Sequence, residues 1–159
     1  MPIYKGPSHH QEMTIPHGEI SMEDSAVATT IVGGGTAVQV TTFDTNGPSD
    51  NSVTPDHTED HILLSRAGTY RVEVTAAVDS VGAGAIIAQL QVQKNNGASE
   101  IIPHVNIDLA GSGGEIQSVS MGGFAVLGIG DTVELWIENE TSTTNLLVES
   151  CSLRVQQVG

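Results

Sequence analysis

Residues 55 to 61 read PDHTEDH, two histidines and three carboxylates within seven positions, a density that suits a metal centre or general acid–base chemistry. A zinc-protease motif, His-Glu-x-x-His, needs a helix to bring i and i+4 to one face. Here Thr58 follows His57, Pro55 opens the segment and a leucine-rich run follows it, so the spacing predicts a loop entering a strand. On an extended backbone His57 and His61 stand about 13 Å apart, too far to share an ion that sits about 2 Å from each ligand. The segment reads as a solvated loop whose carboxylates oppose edge pairing. The alternative is a weak calcium site from Asp56, Glu59 and Asp60, without the glycine and terminal glutamate of an EF-hand. No metal ligand is assigned, although a histidine among His9, His10, His17, His57, His61 and His104 could meet its copies on a symmetry axis without any motif within one chain.

Other chemistry is as hard to place. The glycine runs at 33–35, 82–84 and 111–114 open no helix and are followed by no Lys-Ser/Thr pair, so they read as turns. There is no Gly-x-Ser-x-Gly, and Cys151 falls inside an expected strand as an inert thiol. Trp136 between Glu134 and Glu138 supports two readings: a ring flanked by carboxylates to stack on a sugar, or a buried anchor of a subunit interface with Ile87, the reading preferred here. A glycosidase pair does not fit, because i and i+4 on a strand are again about 13 Å apart. No catalytic residue, cofactor or enzymatic activity is expected.

The elements that must carry these residues are strands. From Ser25 onward, short runs of Val, Ile, Thr and Leu end at Gly, Asn, Asp or Pro, which predicts an antiparallel all-β domain. The expected strands are 25–32, 36–43, 60–66, 68–79, 85–94, 100–110, 115–127, 131–139 and 145–158. Alternation sends Tyr70, Val72, Val74, Ala76 and Val78 inward, with Ile86, Ala88, Leu90 and Val92, and with Val133, Leu135 and Ile137. The same rule turns Glu134, Trp136 and Glu138 to the opposite face. KNNGAS (94–99) predicts a hairpin at its Asn-Gly. So many strands in one domain pack as two sheets. Pro2, Pro7 and Pro16 among His9, His10 and His17 predict an extended arm over residues 1–20, and residues 21–159 form the domain.

Five Lys and Arg against 19 Asp and Glu give a formal charge of −14, which repels phosphate backbones and anionic leaflets and excludes nucleic acid and membrane as partners. One cysteine permits no intrachain disulfide, and the N-terminal stretch has no apolar h-region, so synthesis in a cytosol is expected.

LLSRAGTYRVEVTAAV (63–78) and LGIGDTVELWIEN (127–139) resemble the Gly-x-Tyr and Leu-x-x-Gly-Asp-x-Val-x-Leu strands of the C1q and tumour necrosis factor jelly rolls. Gly68 and Tyr70 match the first, and Leu127, Gly130, Asp131, Val133 and Leu135 the second. The entry HGEISMEDSAVATTIV (17–32), followed by TAVQVTTFD, is similar to small jelly-roll structural proteins of tailed bacteriophages. That resemblance implies a two-sheet antiparallel jelly-roll sandwich in a homotrimeric, non-enzymatic virion protein. It would decorate or cement the capsid exterior, having been synthesised in the cytoplasm of a bacterial host. Its partner would be the major capsid protein, contacted by arm residues Ile3, Tyr4, Lys5, His9, His10 and Ile15. A receptor- or glycan-binding head of a fibre or spike is the alternative.

Overall fold

A computed structural model describes residues 14–82, 84–110 and 115–159. None of these residues is helical. Eleven strands are described: β1 (His17–Met22), β2 (Val38–Gln39), β3 (Thr45–Asn46), β4 (Val53–Asp56), β5 (His61–Leu64), β6 (Gly68–Ser80), β7 (Ile86–Lys94), β8 (Ser99–Leu109), β9 (Gln117–Leu127), β10 (Thr132–Asn139) and β11 (Leu146–Gln157). They form two antiparallel sheets. The first runs β3-β1-β11-β6-β9; the second runs β4-β5-β10-β7-β8, with β2 pairing on β10. The two packed antiparallel sheets expected from the alternating runs are observed, as in the jelly-roll sandwich that the resemblance implies.

The core between the sheets is aliphatic. The inward sets of β6, β7 and β10 expected from alternation are all buried, together with Ile20, Ile62, Leu64, Leu127, Leu146, Leu153 and Val155. Tyr70 is the fully buried aromatic ring, and its hydroxyl donates to Arg66 O at 2.7 Å, which gives the polar end of an otherwise apolar side chain its partner.

The Leu-x-x-Gly-Asp stretch works as a clasp. Gly130 adopts φ +85°, a left-handed turn that glycine takes without strain, and its N–H donates to Leu64 O at 2.7 Å. The Asp131 carboxylate accepts from Gly128 N–H (2.8 Å), Asn95 Nδ2 (2.9 Å) and Lys94 Nζ (3.3 Å), tying the β7–β8 hairpin to the start of β10.

Several expected boundaries move. The arm does not extend to residue 20, because His17–Met22 is β1, paired along its whole length with β11, with Ile20 and Met22 buried. Pro16 stands just before the strand, where its missing N–H does no harm. Ile3, Tyr4, Lys5, His9 and His10 lie outside the described residues, as does the glycine run at 111–114.

Residues 25–32 and 36–43 are extended but mostly unpaired. Thr29 bridges Leu146, Val38 and Gln39 form β2, and Val40 N–H bonds Leu135 O. Their β-branched residues favour strand, yet the neighbouring positions are taken: β1 occupies one flank of β11, and β5 the start of β10.

PDHTEDH is not a loop entering a strand but the tip of the β4–β5 hairpin, in register Asp56 opposite His61, so the extended spacing expected between His57 and His61 does not arise. Pro55 sits within β4, which is tolerated because β4 is the edge of its sheet. The carboxylates serve the turn. Asp56 Oδ1 accepts from Thr58 N–H (3.0 Å), Thr58 Oγ1 (2.6 Å) and Glu59 N–H (3.3 Å), while Asp60 Oδ1 accepts from Phe43 N–H (3.1 Å). Burial raises the Asp60 pKa, against the Phe43 hydrogen bond that lowers it. Among the described residues no group of three or more His, Cys, Asp or Glu side chains is placed to hold a metal ion.

Candidate functional site

The two outer faces of the sandwich differ in kind. On β10 the expected alternation holds, with Glu134, Trp136 and Glu138 opposite the core set, but Glu134 does not present itself to a partner: it is fully buried. The cover is the β7–β8 hairpin, where Asn95, Asn96 and Gly97 all have positive φ (55°, 58° and 80°) and fold back over β10. The Glu134 carboxylate accepts Asn96 N–H at 3.1 and 3.0 Å, the Thr132 hydroxyl and the Trp136 indole N–H at 3.5 Å.

A side chain on Gly97 would meet the indole, since an added Cβ would lie 2.9 Å from the ring. The ring is therefore half-buried against its own hairpin, although it faces away from the core as alternation expects. Beside it, Gln93 donates to Gln91, Gln91 to Gln89, and Gln89 to Glu140 (2.8 Å) and Asn106 (3.2 Å). Ile87 lies further along β7, half-buried, with its backbone bonded to Thr141 and Glu140. The polar groups of this face largely satisfy one another within the chain.

The outer face of the other sheet is built differently. Register across β1, β11, β6 and β9 aligns three rows: Ser21, Ser152, Thr75, Ser120; then Glu19, Arg154, Glu73, Gly122; then His17, Gln156, Arg71, Phe124. Short side chains leave a depression of about 600 Å³ lined by Ser21, Thr75, Ala77, Ser118, Ser120 and Ser150, among others.

Two carboxylates of this face, Glu19 and Glu73, are paired, while Glu23 at the depression is not. Arg154 donates to Glu19 through Nε (3.1 Å) and Nη2 (2.8 Å), Ser152 Oγ also donates to Glu19 (2.7 Å), and Arg71 meets Glu73 at 2.6 Å. Burial favours the protonated Glu19, but the hydrogen bonds from Ser152 and Arg154 and the Arg154 charge outweigh it and hold the pKa below the ordinary value. Two of the chain's five cationic side chains, Arg71 and Arg154, thus offset two carboxylates on one face of a molecule of charge −14.

On the same face β9 is an edge strand, and Phe124 and Val126 stand 68% and 80% exposed. The alternation Ser118, Ser120, Gly122, Phe124, Val126 against Val119, Met121, Gly123, Ala125, Leu127 is present in the sequence, and it is the signal that identifies this face. Ile15 is also exposed, beside a groove where Thr14 and Pro16 meet Gln157, Val158 and Gly159. Cys151 is buried in β11, and burial pushes its thiol pKa up to about 12, so it offers no nucleophile.

This is a β-sandwich with a broad sheet face that carries two Arg–Glu pairs, short polar side chains and an apolar edge. No family model matches the chain, and no curated protein does. Solved structures do. The globular domain of zebrafish complement 1qA protein superimposes with a TM-score of 0.59 at 16% identity, over 92% of this chain and 98% of that one. Murine APRIL superimposes with a TM-score of 0.56 at 11% identity, over 89% and 99%. The chain has a C1q/TNF-like jelly-roll fold.

Proposed function

We propose that this protein is a non-enzymatic, homotrimeric jelly roll that sits on the exterior of a tailed-bacteriophage capsid as a decoration or cement protein bound to the major capsid protein. The observation that carries self-association is the face of β1, β11, β6 and β9. An edge strand bearing exposed Phe124 and Val126 is an association hazard unless something covers it. A second copy is the fitting cover, because arginines pair with Glu19 and Glu73 on this face and so weaken the repulsion between copies of a chain of charge −14.

The depression and the apolar edge lie on different parts of one surface, so the edge of one chain fits the depression of the next. A heterologous contact whose rotation closes gives a ring, and three is the smallest number of subunits in one. This assigns the interface to Phe124 and Val126 rather than to Trp136, Ile87, Glu134 and Glu138. The capsid role rests on the similarity of residues 17–43 to phage jelly-roll proteins. Ile15, one of the expected capsid-contact residues, is exposed and so is open to a second partner.

Light scattering coupled to size exclusion tests the trimer, and a monomer near 16.5 kDa at micromolar concentration overturns it. Counting copies on purified particles tests the capsid role. Hundreds per particle are expected, whereas a handful favours a receptor- or glycan-binding head, a reading that half-exposed Trp136 beside Glu138 supports.

A further inference from the structure

The sequence holds two Asn-Gly dipeptides, Asn46–Gly47 and Asn96–Gly97, and their settings differ. Asn-Gly is the pair most prone to spontaneous ring closure, because glycine has no side chain to hinder attack by its own amide nitrogen. The reaction needs a free asparagine side chain and a free following N–H.

At residue 46 neither is free. Asn46 Oδ1 accepts from His57 N–H at 2.7 Å, Gly47 N–H donates to Glu19 O at 2.8 Å, and Asn46 belongs to β3, which pairs with β1. At residue 96 both are. Asn96 is exposed at the hairpin tip, its backbone N–H is held by Glu134, and among the described residues neither its side-chain amide nor Gly97 N–H has a hydrogen-bond partner. The adjacent Asn95 is also locked, its side chain bridging Asp131 and Thr132 N–H.

We infer that Asn96–Gly97 is a self-modification site, at which the intact protein converts an asparagine to aspartate and isoaspartate while Asn46–Gly47 is protected. In the first step Gly97 N bonds to Asn96 Cγ, the Cγ–Nδ2 bond breaks, and ammonia leaves with the proton of Gly97 N–H. Water then opens the succinimide at either carbonyl, giving aspartate or isoaspartate and one new negative charge.

The conversion has a local consequence. The isoaspartyl product routes the main chain through the former side chain and lengthens a turn that covers the buried Glu134 carboxylate and rests on the Trp136 ring. Protein age is thereby written into one hairpin, with Trp136 as its reporter. The inference is independent of the assembly proposed above.

The test is a time course of full-length protein in mildly alkaline buffer, with proteolytic mapping by mass spectrometry and isoaspartate detection by isoaspartyl methyltransferase. A parallel sample in denaturant gives the unfolded rate at each dipeptide. Breaking the Asn46 and Gly47 hydrogen bonds requires local opening, so protection at Asn46 relative to the unfolded chain should exceed that at Asn96 by at least about tenfold. Tryptophan emission should drift with the extent of conversion at residue 96, and Asn96→Gln, which closes the larger ring slowly, should abolish the drift. Equal protection at the two dipeptides, or greater protection at Asn96, overturns the inference. A drift in emission that persists unchanged in Asn96→Gln overturns the assignment of Trp136 as reporter.

Discussion

Replacing Phe124 by alanine separates folding from assembly, because the side chain stands 68% exposed in a single chain. A phenylalanine buries roughly 150–250 Å² when fully covered, so about 130 Å² of this ring remains for a partner to remove from water. At about 25 cal/mol per Å² that is worth about 3 kcal/mol per contact, of which alanine forfeits about 2 kcal/mol. A closed trimer repeats the contact three times, giving roughly 6 kcal/mol in all, or a trimer dissociation constant raised by about four orders of magnitude. The isolated fold should lose no more than about 0.5 kcal/mol, as expected for a surface position. Light scattering over a dilution series, with urea unfolding of the monomeric form, measures both quantities. A variant that stays assembled over the same concentrations as the native chain refutes the assignment of this face. A variant monomer destabilised by more than about 2 kcal/mol refutes the claim that Phe124 lies outside the core.

Glu134→Ala removes the acceptor of Asn96 N–H, the Thr132 hydroxyl and the Trp136 indole, and should lower stability by about 3 kcal/mol with a shift in tryptophan emission, while Glu138→Ala stays within about 0.5 kcal/mol; a loss below about 1 kcal/mol in urea unfolding would show that the hairpin holds without this carboxylate. Truncation through residue 20 removes buried Ile20 and most of β1 and should cost at least about 3 kcal/mol, whereas truncation through residue 13 leaves every described pairing intact and should leave the melting temperature unchanged. Glu19 and Asp131 have pKa values held below their ordinary ones, Asp131 by hydrogen bonds from Asn95 and Gly128 and by Lys94. The folded chain therefore binds fewer protons at these groups than the unfolded one, so their contribution is complete above about pH 4.5 and is lost as pH falls through the lowered values. Asp60, with a raised pKa, has the opposite sign. Melting curves across this range should be shallower on the acid side for Asp131→Asn, and an unchanged profile would remove the clasp from the account of acid stability.

How much was legible follows from which interactions are local. Strands β6 to β11 could be read within a few residues, because each runs for eight residues or more, and in β6, β7 and β10 every inward position is apolar, so that a one-residue slip would turn those core side chains to water. The early chain resisted for the opposite reason. In HGEISM the alternation Gly18, Ile20, Met22 against His17, Glu19, Ser21 is present but short, and the prolines before it suggested an arm. Residues 25–43 have strand propensity without a strand's partner, and which flank of β10 or β11 remains open is decided by segments a hundred residues away. Propensity reports what a segment tolerates; pairing depends on which edges remain vacant.

The same distinction separates Trp136 from Phe124. Alternation correctly turned the indole from the core, but facing outward is not being exposed, and the three left-handed residues that cover Glu134 come from the β7–β8 turn. The charge-paired face is a product of register. Glu19, Glu73 and Arg154 are 54 and 81 residues apart in turn, and only the pairing of β1 with β11 and of β11 with β6 lines them up as one row of alternating charge. A composition of 19 acids and five bases describes a molecule that repels its copies. The pairing of Arg71 and Arg154 with Glu73 and Glu19 of one sheet lessens repulsion on that face, and the edge strand there carries the exposed apolar side chains Phe124 and Val126. Charge and hydrophobicity thus select the same surface for independent reasons, and single-site changes can separate them: Phe124→Ala removes the attraction without altering the charge, while Arg154→Gln restores the repulsion and leaves the ring in place.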